Sequence, residues 1–203
     1  SALREVTAHD PSILKGRAVL AHLGGGCSIC AVKNGRSHDT TMALTPLGGI
    51  PGPTRSGDLD PGTLLYLLRK EGLGADAVED RLYHAAGLAG IAGHGDMRVL
   101  LEDSGSQAQL AVELFAVRIA QSIAAMATGI GGLDHLVFSG GIGHRAPMLR
   151  TRVVAHLEWL GLALDTDHNG AGALRIDPGA GPAIWNVDVD EERELAESAL
   201  AWL

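Results

Sequence analysis

Aromatic residues are scarce: Trp, Tyr and Phe make up 3% of the 203 residues, whereas hydrophobic residues as a group make up 46%. The core must therefore be built from Ala, Leu, Val and Ile. Positive charge is also in deficit. A formal net charge of −8, with no basic stripe interleaved with aromatics, argues against a nucleic-acid partner. There are only two cysteines, Cys27 and Cys30. They form a nominal CxxC pair, but in a stretch of strand periodicity residues three apart fall on opposite faces, which argues against redox or zinc chemistry. No run approaches the apolar length of a membrane span, and no charged segment followed by an apolar one opens the chain, so a membrane role is not expected and a cytoplasmic location is. The pattern GxxxxGK[ST] is absent as well, which excludes a P-loop.

Glycine is plentiful, at 28 residues, without the period of collagen or the monotony of a linker. Two glycine turns follow apolar strands directly. Arg17-Ala-Val-Leu-Ala-His-Leu23 runs into Gly24-Gly25-Gly26, and His135-Leu-Val-Phe-Ser139 runs into Gly140-Gly141-Ile142-Gly143. A backbone without Cβ folds tightly at a strand end and brings several N–H groups toward one anion, as phosphate binding requires. Ordinary turns have the same composition. It is the topology around these two that favours the phosphate reading.

The first strand, Arg17 to Leu23, comes early after Ser1, as though the chain began partway through a longer protein, so residues 1–16 read as an extension or the remnant of an interdomain segment. Residues 17–203 read as one domain. Strand two is expected over Ser28 to Lys33 and strand three over Arg36 to about Met42, joined at Asn34-Gly35 by a type I′ turn. The breaker-rich stretch from Thr45 to Gly62 is too long for a plain connection, and such loops are usually functional. Inserted helices follow over about 61–104. Asp60-Pro61 reads as N-cap and first turn of one whose stripe is Leu64, Leu65, Leu67 and Leu68. A second should span Asp76 to Ala86, ahead of a glycine loop, GLAGIAGHGDMR. The longest helix, Ser106 to Ile130, carries Leu110, Leu114, Val117, Ile119, Ile123 and Met126 near helical spacing. Strand four (Leu136 to Ser139), a helix from Arg145 to Leu160, a weakly patterned segment from Leu162 to Pro182, strand five (Ala183 to Val189) and a helix from Glu191 to Trp202 capped by Asp190 complete the order.

Without the inserted helices the order is βββαβαβα. An antiparallel meander joined to two right-handed βα units makes a mixed five-stranded α/β sheet with helices on both faces, the ribonuclease H-like (actin-like ATPase) half-fold. In such folds nucleotide phosphates lie at hairpin turns and adenosine at the glycine turn after strand four.

Four motifs then occur in one order: His22-Leu-Gly-Gly-Gly-Cys-Ser28; Thr45-Pro-Leu-Gly with Thr54-Arg-Ser-Gly-Asp-Leu-Asp-Pro-Gly62; Gly95-Asp-Met-Arg98; and Phe138-Ser-Gly-Gly-Ile-Gly143. From Ala18 onward the chain resembles the acetate kinase (acetokinase) family. The resemblance implies the C-terminal, nucleotide-carrying half of an enzyme that uses ATP/ADP and Mg2+ to move a phosphoryl group to or from a short-chain carboxylate, and that forms a homodimer through this half. It implies that His22, Leu23, Gly24, Gly25 and Gly26 hold the nucleotide phosphates. Asp96, Met97 and Arg98 would contact the nucleotide, and Gly140, Gly141, Ile142, Gly143, His144 and Arg145 would close over the adenosine. Arg55 would stabilise the transferring phosphoryl group, and Glu191 would serve magnesium.

Residue chemistry is compatible with these roles and leaves alternatives open. A guanidinium is a planar, permanently charged donor set for equatorial phosphoryl oxygens, yet Arg55 could instead pair with Asp58 or Asp60. Glu191 could be a first-turn carboxylate favoured by the helix dipole, and His22 a satisfied histidine at a strand end.

The sequence departs from the family pattern in three places. Gly25 stands where the family has Asn. His144 stands where it has Glu, followed by Arg145. The N-terminal half, with its Asn-x-Gly-Ser-x-Ser-x-Lys loop, second arginine, aspartate and histidine, has no counterpart in these residues. Two readings follow: half of a phosphotransferase, inactive alone, or a stand-alone nucleotide-binding or dimerisation module.

Overall fold

Alternation along the strands gives the sheet two apolar faces. The computed structural model describes residues 1–200, apart from the side chains of residues 191, 194, 197 and 198. β1 (Arg17–Leu23), β2 (Cys27–Lys33) and β3 (Arg36–Thr40) form an antiparallel meander. β4 (His135–Ser139) and β5 (Ala183–Asn186) extend it in parallel, in the order β3-β2-β1-β4-β5. The expected mixed five-stranded sheet is thus present. Asn34 (φ 52°) and Gly35 (φ 72°) have the paired positive angles of a type I′ turn. β3 stops short of Met42, and Thr41 bonds back to Ile29 through its N–H (2.8 Å) and through its hydroxyl, which accepts from Ile29 N (2.9 Å). β5 likewise ends at Asn186, not at Val189.

Val19, Ala21, Leu23, Ile29, Ala31, Leu136 and Phe138 face one core; Ala18, Val32, Val137 and Trp185 face the other. Cys27 packs on the first and Cys30 on the second, and both are free thiols. Residues 1–16 form α1 (Ala2–His9) and a 3-10 turn, Pro11–Leu14, whose Val6 and Ile13 are fully buried in the second core.

α6 (Ser106–Ile130) covers the first face. Its inner side is Ala108, Ala111, Val112, Phe115, Ala116, Ile119, Ala120 and Ile123, while Leu110 and Leu114 lie 49% and 43% exposed. Of the expected stripe Ile119, Ile123 and Met126 are buried, with the alanines between them letting the helix lie close on the sheet, whereas Leu110 and Leu114 point outward. By length and mean hydropathy (1.6) α6 would also suffice to span a membrane, contrary to the expectation from the sequence, but half of that apolar stretch is buried against its own domain.

The inserted segment is α2 (Pro61–Arg69), α3 (Ala75–His84), α4 (Gly87–Ala92) and α5 (Met97–Glu102). The stretch read as a glycine loop thus holds α4 and leads into α5, with Gly87 (φ 57°) and Gly93 (φ 83°) at the two ends of α4. Beyond β4 the chain turns directly into α7 (Gly140–Arg145), and α8 (Pro147–Ala155) follows, not one helix from Arg145 to Leu160. The cause is Pro147, which removes a donor and pushes Ala146 out of helical geometry (ψ 79°). Asp165 caps α9 (Thr166–Gly170) inside the weakly patterned segment, and α10 (Glu191–Leu200) closes the described chain. The expected end of α10 at Trp202 lies outside the described residues.

Candidate functional site

The two glycine turns meet. Gly24 N donates to Gly26 O (3.1 Å), which closes the β1–β2 turn on itself. A Cβ placed at Gly24 would lie 3.8 Å from the Gly141 nitrogen and 3.9 Å from His22 Nε2. Between the turns opens a cleft of about 630 Å3 lined by His22, Gly24, Gly25, Gly26, Gly140, Gly141, Asp188, Val189, Asp190 and Glu192. His22 Nδ1 approaches Ser139 Oγ at 3.3 Å across the β1/β4 register, so the ring is held at the cleft wall. Leu23 points its side chain into the core at zero exposure, leaving only its backbone toward the turns. Gly140 sits at φ 79°, where a Cβ would meet Leu23 O at 2.6 Å, and so must lack a side chain. Gly141 faces open space, and at Gly143 a Cβ would meet only ordinary contacts, the nearest at 3.5 Å.

A second cavity, of about 460 Å3, shares Gly141 with the first. Its walls are Gly95, Asp96, Met97, Arg98, Leu101 and Glu102 on one side and Gly141, Ile142, Arg145, Ala146, Pro147 and Met148 on the other. Two motifs more than forty positions apart thus converge on one space. Asp96 caps α5 by accepting from Arg98 N (3.0 Å) and is clasped by Arg98 Nη2 (2.8 Å), which holds its carboxyl down at about pKa 2. Met97 belongs to the core. Gly143 and His144 do not line this cavity: Gly143 is buried, and His144 Nδ1 lies 3.0 Å from Asn186 Oδ1.

A third cavity, about 480 Å3, shares His22 and Gly26 with the first and adds Cys27, Ser28, Met42, Ala43, Leu44, Thr45, Pro46, Gly48 and Arg55. Arg55 sits on a loop fastened at both ends. Gly52 N donates to Arg55 O (3.0 Å), Ser56 N to Leu82 O (3.1 Å) and Ala86 N to Thr54 O (3.0 Å). A Cβ at Gly26 would lie 3.4 Å from Arg55 Nη1. The alternative partners are engaged elsewhere, because Asp58 accepts from Gly49 N (2.7 Å) and Asp60 from Gly62 N as the α2 cap. Among the described residues Arg55 forms no ion pair with a carboxylate. Beside it, burial pushes the Cys27 thiol up to about pKa 11, which makes it a packing group and not a nucleophile.

Asp188, Asp190 and Glu192 bring carboxylates to the first cleft, although one Asp190 oxygen caps α10 through Arg193 N (2.9 Å). The Glu191 side chain lies outside the described residues. Among those described, no group of three His, Cys, Asp or Glu is gathered closely enough to cage a metal. Carboxylate oxygens at the mouth of such a cleft do fit magnesium, which takes one or two such ligands and completes its shell with water and substrate oxygens. Sequence reasoning missed Asp188 and Glu192, which have no local signature. It also missed the buried Arg150, which lies behind the second glycine turn.

The class follows from the sheet order and the three joined cavities: an α/β fold of the acetate-kinase type. The solved structure of a propionate kinase from Francisella tularensis superposes with a TM-score of 0.90 at 36% identity, covering 97% of this chain and 52% of the other. Porphyromonas gingivalis acetate kinase gives 0.90 at 30% identity, covering 98% and 52%. The Acetokinase family pattern matches residues 11–194, and the chain belongs to that family. An acetate kinase from Rhodopseudomonas palustris is 44% identical over 189 residues, which are 91% of this chain and 48% of its own length. The chain spans about half the length of the curated relatives it matches.

Proposed function

We propose that this chain is the C-terminal, nucleotide-carrying half of a phosphotransferase that exchanges a phosphoryl group between ATP and a short-chain carboxylate. The observation that carries the proposal is the row of three cavities joined through Gly141, His22 and Gly26. Laid along it, adenosine fills the cavity between α5 and α7, and the phosphates lie against the glycine turns. The terminal phosphoryl group reaches Arg55 beside an apolar space walled by Met42, Ala43, Leu44 and Pro46, which suits a short acyl chain. Charge on the transferring group is met by backbone N–H groups and by the guanidinium, both fixed before the ligand arrives. Asp188, Asp190 and Glu192 are the nearest described carboxylates that would hold magnesium, which would supply positive charge to offset the charge developing on the transferring group.

Isothermal titration of the 203 residues with ATP and magnesium tests the nucleotide part, and absence of binding would overturn it. Acyl phosphate formation, trapped as the hydroxamate, should be undetectable with this chain alone, because half of the charge-stabilising groups of a kinase of this family belong to the other half. Turnover within about tenfold of ordinary kinase rates of 1–100 s⁻¹ would contradict that view.

A further inference from the structure

Arg150, on α8, is 1% exposed, and every acceptor around it is neutral. Its Nη1 donates to Gly143 O (2.8 Å), to His144 O and, at 3.4 Å, to Asn186 Oδ1. Its Nε donates to Asn169 Oδ1 (2.7 Å) and its Nη2 to Asn169 O (3.0 Å). The acceptors are themselves held: Asn169 Nδ2 donates to Pro147 O (3.1 Å) and Thr151 Oγ1 (3.2 Å), and Asn186 Nδ2 to Gly172 O (3.3 Å). One guanidinium therefore ties α7, α8, α9 and the end of β5 together.

That arrangement is expensive as mere core filling. Burial alone lowers the Arg150 pKa, to about 10, so the group stays charged at neutral pH with no carboxylate among the described residues to balance it. Taking a cation from water into the interior is costly unless its hydrogen bonds are complete, and an apolar side chain of similar size would avoid the cost. What the guanidinium does that an apolar group could not do is bond the last carbonyls of α7. A helix of six residues has no internal stability of its own. Pro147 cuts it off, and its final C=O groups need donors from elsewhere.

We propose that Arg150 is a positioning residue for the nucleotide: it clamps Gly143 O and His144 O from behind. In that way it fixes Gly140 and Gly141, which wall the phosphate cavity, and Gly141, Ile142 and Arg145, which wall the adenosine cavity. The inference rests on the nucleotide reading of those cavities. It adds a role for a residue that touches neither one.

The test combines Arg150→Met, which removes charge and donors, with Arg150→Lys, which keeps the charge but loses the fork. Two measurements are made on the 203-residue chain: amide hydrogen exchange without ligand and titration with ATP and magnesium. In Arg150→Met the amides of 141–146 should exchange at least about tenfold faster relative to those of β1 and β4. ATP affinity should fall by about tenfold to a hundredfold, the scale of one or two hydrogen bonds from a charged donor. Arg150→Lys should fall between the two proteins in both measurements, and it carries the test if Arg150→Met does not fold. Exchange that accelerates uniformly across the domain, or ATP affinity within about twofold of wild type in a folded variant, would overturn the proposal. If the wild-type chain binds no ATP while local exchange still responds to Arg150, the nucleotide reading fails and the clamp alone stands.

Discussion

Arg55 and the glycines beside it show how residue identity sets the chemistry. The loop of Arg55 is fixed by backbone bonds to Leu82 and Ala86 and by the bond from Gly52 N to Arg55 O, so the side chain can be truncated without loosening its surroundings. On the proposed function, in a full-length protein of the relatives' size that carries this segment, Arg55→Ala is expected to lower turnover by about 10³ to 10⁵-fold, the range for arginines at a transferring phosphoryl group. ATP affinity should change by no more than a few-fold, and steady-state kinetics with a separate binding titration check this. A variant keeping a tenth of wild-type turnover would make Arg55 structural. The glycines divide in a way that composition does not reveal. Gly140→Ala should lower the melting temperature, because its φ of 79° and the Leu23 carbonyl leave no room for a Cβ. Gly141→Val should leave the fold intact and abolish ATP binding, because the space it would fill is cavity. Circular dichroism with titration separates the two. The strand alternation already separated Cys27 from Cys30, a purely local property. Arg150 was beyond such reading, because its partners lie 6 to 36 positions away and no spacing rule connects them.

At the scale of elements, the strands and the β1–β2 and β2–β3 turns were legible because β-branched runs and Asn-Gly are local signals. The faces of helices were less so. In α6 the Ala-rich inner side and Ile119, Ile123 and Met126 were legible, but Leu110 and Leu114 were not: Phe115 is at 1% exposure and Leu114 at 43%. Phe115→Ala should therefore cost about 3–5 kcal/mol, whereas Leu114→Gln should stay within about 0.5 kcal/mol, as urea unfolding would measure. The foot of β4 carries a pH dependence. His135 is buried, and desolvation lowers its pKa below the ordinary 6.5, with Asp10 and Asp134 opposing. Trp185 Nε1 donates to His135 Nδ1 at 3.3 Å, a bond that requires the unprotonated nitrogen. A depressed histidine pKa means that the unfolded chain takes up the proton first. Stability is thus unaffected above the unfolded value near 6.5 and declines as pH falls below it. Unfolding free energy should drop from pH 7.5 to pH 5.5 in wild type, and less steeply in His135→Gln. Equal slopes would remove His135 from the account.

For the whole molecule the open matter is what covers α2. None of its described residues is buried: Leu65 is 50% exposed, Tyr66 55% and Leu68 40%, while Leu64 and Leu67 are partly buried. From the sequence the four leucines lie on more than one side of the helix, more than a single core contact requires, and the structure shows which of them the domain leaves uncovered. Two occupants are available, a second copy of this chain or the rest of a protein of the relatives' length, about half of which this chain spans. Three large exposed apolar side chains on one inserted element, none of them lining the three cavities, favour the second copy, because on the proposed function the rest of such an enzyme would have to meet the cavity mouths instead. The 203-residue chain is therefore expected to be a dimer by light scattering at high micromolar concentration. Leu65→Glu combined with Tyr66→Glu should make it a monomer with its ATP affinity unchanged, since neither residue lines a cavity. A wild-type chain that is already monomeric, or a dimer that the double variant leaves intact, would assign this helix face to something other than self-association.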